Sequence, residues 1–71
     1  MKNKNVGYSE FLRAYKRNLV NHPQLVCYRY YSHFWFYTQK NVWIVDVSHE
    51  LECALVAQIN KVGSLQEEKD R

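Results

Sequence analysis

The run Tyr28-Arg29-Tyr30-Tyr31-Ser32-His33-Phe34-Trp35-Phe36-Tyr37-Thr38-Gln39-Lys40-Asn41-Val42-Trp43 holds eight of the eleven aromatic residues in this 71-residue chain. Neighbouring side chains on a strand point to opposite faces, so Phe34/Trp35 and Phe36/Tyr37 put large rings on both sides of any sheet they build. A fold this small cannot hide that much ring surface on one side. The block therefore predicts a sheet covered on one face by the chain's own helices. On the other face it calls for a second subunit, another protein or a nucleic acid.

Within the block, Thr38-Gln39-Lys40-Asn41 reads as a hairpin turn, with Asn41 suited to a left-handed conformation. It joins strands over about Phe34–Thr38 and Val42–Val47, both rich in β-branched and aromatic residues. Upstream, Leu25–Tyr31 reads either as a further strand turning near Ser32-His33 or as a helix beginning at Pro23.

Outside the block the periodicity changes from two to 3.6. Tyr8, Phe11, Leu12, Tyr15 and Leu19 share one helical face, Arg13 and Arg17 lie opposite with Lys16 at the margin, and Ser9 is the expected N-cap. The helix should stop before Pro23, whose ring disfavours helical geometry at His22. A second helix is expected from an N-cap at Ser48, through a stripe of Leu51, Ala54, Leu55, Ile59 and Val62, to Gly63. On it Cys53, Val56 and Ala57 form a second, smaller apolar flank.

The sum is an α+β domain of order α-β-β-α, with an extra strand before the hairpin as an option. An antiparallel sheet is flanked by an N-terminal and a C-terminal helix in a single domain over residues 1–71. Residues 1–5 and 64–71 have little to bury and read as loose tails.

Composition narrows the function classes. Hydrophobic residues make up 46% of the chain, yet mean hydropathy is −0.57, because Tyr and Trp count as mildly polar. Such amphipathic rings favour interfaces. No apolar run approaches the roughly 20 residues needed to span a bilayer. With Cys27 and Cys53 alone there is no disulfide framework, and no apolar leader opens the chain, so a cytoplasmic setting is expected. Net charge is +3. The first half carries Lys2, Lys4, Arg13, Lys16, Arg17 and Arg29 against Glu10 alone, a bias that suits a polyanion.

Chemistry-bearing motifs are sparse. His49 and Cys53 share a helical face, and Cys27 with His33 would complete four ligands, but the chain has no C-x-x-C pair and His49 projects away from the apolar stripe, so no metal is expected. Asp46-Val47-Ser48-His49-Glu50 contains triad residue types in the wrong geometry, and it reads better as a strand end and helix cap. Gly7 and Gly63 are isolated, so no phosphate loop exists. No enzyme activity, cofactor or small-molecule substrate is expected.

What remains is a non-catalytic interaction protein: an adaptor, inhibitor or regulator that binds another macromolecule, most simply as a homodimer. Trp35, Tyr37, Trp43, Cys53 and Val56 are the candidate contact residues, since Trp and Tyr concentrate interface energy. At about 25 cal/mol per Å², two or three rings of about 150 to 250 Å² rival the whole stability of a domain this size. The alternative is a nucleic-acid binder that stacks bases on its rings and holds phosphates with Arg13, Lys16, Arg17, Arg29 and Lys40.

Overall fold

The computed structural model describes residues 1–68. The elements run β1 (Lys2–Asn5), α1 (Tyr8–Asn21), β2 (Val26–Tyr30), β3 (His33–Tyr37), β4 (Asn41–Asp46), α2 (His49–Val62) and β5 (Ser64–Glu67). The strands form one mixed sheet in the order β1-β4-β3-β2-β5. Its centre is the antiparallel meander β2-β3-β4, and β1 and β5 add parallel edges on β4 and β2. The fold is thus α+β with helices before and after the meander, but the sheet is mixed, not purely antiparallel.

Residues 1–5 and 64–71 were expected to be loose, and most of them are strand instead. Lys2–Asn5 has no apolar side chain, yet it forms because β4 would otherwise leave its edge N–H and C=O groups unpaired. Flanking bonds from Lys2 N–H to the Lys40 carbonyl (3.2 Å) and from Val6 N–H to the Ile44 carbonyl (2.9 Å) extend that pairing. Ser64–Glu67 does the same for β2, and only the last part of the expected tail, 69–71, lies outside the described residues. Leu25–Tyr31 settles as a strand, Val26–Tyr30.

Both turns of the meander differ from expectation in detail. β2 and β3 are joined by Tyr31-Ser32, and Tyr31 takes φ 54, the one positive value among non-glycine residues described. At Thr38–Asn41 no left-handed residue is needed. The Thr38 hydroxyl accepts the Asn41 N–H at 3.2 Å, and the Thr38 N–H donates to the Asn41 carbonyl at 2.8 Å.

Both helices cover the same face. Cys27, Phe34, Phe36, Trp43 and Val45 alternate along β2, β3 and β4 and meet Phe11, Ala14 and Tyr15 of α1 and Leu55 and Ile59 of α2 in a single core. Phe36 is at its centre, edge-on to Phe11 (5.1 Å between centroids) and Tyr15 (5.3 Å) and stacked on Trp43 (6.0 Å). Such pairs add about 0.5 to 1.5 kcal/mol each beyond area burial.

The helix ends correct two expectations. α1 starts at Tyr8 with Gly7, not Ser9, as N-cap, and it stops at Asn21, before Pro23 as the proline demands. On α2, Ser48 is the N-cap but its side chain makes no capping bond. The buried stripe there centres on Leu55 and Ile59 with Val56 packed against it, while Leu51 and Val62 are about two-fifths exposed (40% and 41%).

Closure of the far edge depends on one buried phenol. The Tyr15 hydroxyl donates to the Leu25 carbonyl at 2.9 Å and accepts the Ser64 N–H at 3.1 Å, linking α1 to the starts of β2 and β5. Burial pushes its pKa up.

Candidate functional site

Register decides which rings are hidden. Directly paired residues share a face, and the pairs Tyr28↔Trp35, Tyr30↔His33, Trp35↔Ile44, Tyr37↔Val42 and His33↔Asp46 all lie on the face that no helix covers. None of these residues is buried, whereas every buried sheet residue points the other way.

The centre of this open face is a ring cluster. Tyr28 and Trp35 stack across the β2/β3 pair at 5.9 Å and 20°, Tyr37 meets Tyr28 edge-on at 5.8 Å, and His33 flanks Trp35 at 5.3 Å. Tyr30 and Tyr31 continue it past the turn, edge to face at 4.8 Å. Tyr37 is 49% exposed and Tyr31 69%. The strand residues Val26, Val42 and Ile44 fill in beside the rings. The rim is polar: Asn3 and Asn5 on β1, Ser64 and Gln66 on β5, and the His33 Nδ1 to Asp46 Oδ1 bond at 2.6 Å. Among the described strand residues on this face there is no Lys or Arg.

Of the contact residues expected from sequence, Trp35 and Tyr37 therefore come together. Trp43 does not: it is 6% exposed, on the helix-covered face, with the Lys4 ammonium 4.4 Å from its ring centre. Cys53 and Val56 are on α2, on the other side of the sheet, with Cys53 exposed and Val56 packed against the core. Sequence reasoning left Tyr28, Val42 and Ile44 out of the site. The alternation around Trp35 and Trp43 carried that information, once the hairpin register is known.

The cations also separate. Arg13, Lys16 and Arg17 are exposed on α1 and Lys40 on the β3–β4 turn, none of them on the ring face. Arg29 is committed to structure. It pairs with Glu52 of α2 and with Glu67 of β5 (2.7 Å), donates to the Tyr31 carbonyl at 2.9 Å, and lies over the Phe34 ring. Burial opposes its charge, but the hydrogen bonds and charges of Glu52 and then Glu67 outweigh it, and its pKa rises.

Residues weighed for covalent or metal chemistry are dispersed. Burial pushes the Cys27 thiol up to about 12, leaving it protonated and unreactive. His49 faces solvent beside Glu52. Among the described residues no three His, Cys, Asp or Glu side chains gather closely enough to hold a metal ion. No helix among them is long and apolar enough to cross a membrane.

No family model matches the chain, and no curated protein or solved structure matches it either. The functional reading rests on geometry.

Proposed function

We propose that this is a non-catalytic interaction protein that self-associates through the open sheet face and acts, as an adaptor, inhibitor or regulator, on another macromolecule. The observation that carries the reading is a cluster of the half-buried Tyr28 and Trp35 and the exposed Tyr30 and Tyr37 on a helix-free face with a polar rim and no strand lysine or arginine. An apolar, ring-rich centre with charge excluded is the anatomy of a protein–protein contact. A base-stacking platform needs cations along its groove, which this face lacks.

A second copy of the chain is the occupant that best fits this face, which carries no strand lysine or arginine and whose one strand carboxylate, Asp46, is bonded to His33 at the rim. The apolar centre of two identical faces pairs without bringing cations together, and a two-fold contact needs only one self-complementary patch. Its strength is bounded by size. Five strands about 4.8 Å apart and about five residues long make a face of roughly 24 by 17 Å, about 400 Å² in projection. Two such faces fall below the roughly 1,200 Å² of a standard interface, so the dimer is of micromolar strength or weaker. Sedimentation equilibrium from about 5 µM to 1 mM tests this. A mass rising toward twice 8.6 kDa, insensitive to salt, supports it. A monomer throughout overturns it.

A further inference from the structure

A second surface adjoins the ring face at Tyr37, where α1 ends against the β3–β4 turn. A depression of about 270 Å³ there is lined by the cationic Arg17 and Lys40 and by His22, with Asn18, Thr38, Gln39, Asn41 and Trp43 completing it. It is continuous with a larger one of about 660 Å³, which shares Asn18, His22, Thr38 and Gln39 and adds Asn21, Pro23, Gln24 and Tyr37. The first is cationic. The second is neutral, rich in carboxamides, and bounded by a tyrosine ring.

Charge extends beyond the depression. Arg13 is one turn before Arg17, and Lys2 pairs its strand beside Asn41, with its N–H on the Lys40 carbonyl. None of Lys2, Arg13, Arg17 and Lys40 is in an ion pair among the described residues, and Glu10 is the one carboxylate on α1. The acidic side chains Glu50, Glu52, Glu67 and Glu68 belong to α2 and to β5, the edge of the sheet opposite β1. From Arg13 to His22 the helix rises about 14 Å, so the positive charge is strung out along a line instead of converging on a point.

We propose that this corner binds single-stranded nucleic acid, with backbone phosphates along Arg13, Arg17 and Lys40 and one unpaired base in the neutral depression beside Tyr37. A line of cations matches a polymer of phosphates better than a lone small anion. Carboxamides of Asn21, Gln24 and Gln39 offer both donors and acceptors to a base edge, which a duplex would keep paired. The corner shares Tyr37 with the ring face, so a bound strand would compete with sheet-face pairing for that ring, whereas Arg13, Arg17 and Lys40 lie off the face.

Anisotropy of a fluorescein-labelled 12-nucleotide single strand, as DNA and as RNA, tests it at 50 and 200 mM salt. Three or four neutralised phosphates should weaken binding about 20- to 50-fold between those salts. Arg17→Ala with Lys40→Ala should lower the slope of log affinity against log salt by about 1.4. Tyr37→Ala should weaken binding about ten-fold and leave the slope unchanged. Circular dichroism of the variants checks that both remain folded, as substitution of exposed side chains should allow. Absence of binding at 50 mM salt overturns the proposal, as does an unchanged slope in the double variant. So does equal or tighter binding of the matching duplex, or of inorganic tripolyphosphate. The wild-type mass is a separate readout: with anisotropy run below the concentration at which the mass rises, a chain that dimerises at higher concentration but binds no strand contradicts this site alone, and a monomer that binds one contradicts only the sheet contact.

Discussion

Tyr28 and Trp35 stack across the β2/β3 pair with centroids 5.9 Å apart, on the face of the sheet that both helices leave bare. One strand over, Phe36 and Trp43 stack at 6.0 Å on the covered face. The same chemistry thus occurs twice, once as core and once as surface. Truncation should separate them. Phe36→Ala should cost about 3 to 5 kcal/mol, enough to unfold a domain of this size. Trp35→Ala should cost far less in urea unfolding, yet raise the dimer dissociation constant at least ten-fold by sedimentation. Equal losses of fold stability would contradict the assignment of faces.

Gly63 is required by closeness, not by its backbone angles. A Cβ there would overlap the Tyr15 hydroxyl oxygen and lie 3.0 Å from two of its ring carbons. Gly63→Ala should therefore destabilise by about 1 to 3 kcal/mol, the usual cost of overpacking. Combining it with Tyr15→Phe should recover part of that loss, since the nearest atom is gone. A double-mutant cycle by urea unfolding reads the coupling, and strict additivity would contradict it.

Tyr31 has φ 54 in a two-residue turn, at a site that glycine usually fills. A left-handed conformation costs a residue with a Cβ about 1 to 2 kcal/mol, and glycine's extra chain entropy returns about half of the gain from relieving it. Tyr31→Gly should come out about 0.5 to 1 kcal/mol more stable. It should also self-associate more weakly, having lost a ring that is 69% exposed next to Tyr30. A variant less stable than wild type would show that the Tyr31 ring holds the turn.

Arg29 joins three elements through Glu52, Glu67 and its own strand. Removing it leaves the half-buried Glu52 without its counter-charge, so Arg29→Ala should lose about 2 to 3 kcal/mol. Lysine cannot reproduce the fork that reaches both carboxylates, and Arg29→Lys should rescue little. Full rescue by lysine in thermal or urea unfolding would reduce the site to simple charge pairing.

Alkaline pH should reveal the buried thiol. The Cys27 pKa rises from the ordinary 9.0 to about 12, so folding holds its proton and the unfolded chain releases it first. The stability this group contributes is complete below pH 9 and is lost as pH climbs toward 12, by about 1.4 kcal/mol at pH 10. Tyr15, also raised by burial, adds to the loss above its ordinary 10.0. Cys27→Val should flatten the fall in urea midpoint between pH 8 and pH 10. An unchanged slope would place the titration elsewhere.

Much of the architecture was legible because strong periodicity leaves few options. Phe11 and Tyr15 set the inner face of α1, and the Thr38–Asn41 break set the hairpin. The edge strands were not legible. Lys2-Asn3-Lys4-Asn5 carries no apolar residue and poor strand formers, and its pairing answers the unsatisfied groups of β4, a need that exists only after the meander has formed. The two faces of the ring block could be foreseen, but not which tryptophan each would hold. Face membership follows register, and one residue more or less in the turn would have put Trp35 and Trp43 on the same face. Arg29 looked like a phosphate ligand because its partners, Glu52 and Glu67, are 23 and 38 residues away.

The two tryptophans, one on each face, report which face self-associates. Their indole N–H signals in a ¹⁵N-correlated NMR spectrum should respond differently as protein concentration rises from about 10 µM to 1 mM. The Trp35 signal should shift and broaden with the amides of Tyr28, Tyr37 and Ile44, while Trp43 holds still. Two indole signals that stay fixed over the whole range, or movement at Trp43 alone, would contradict it.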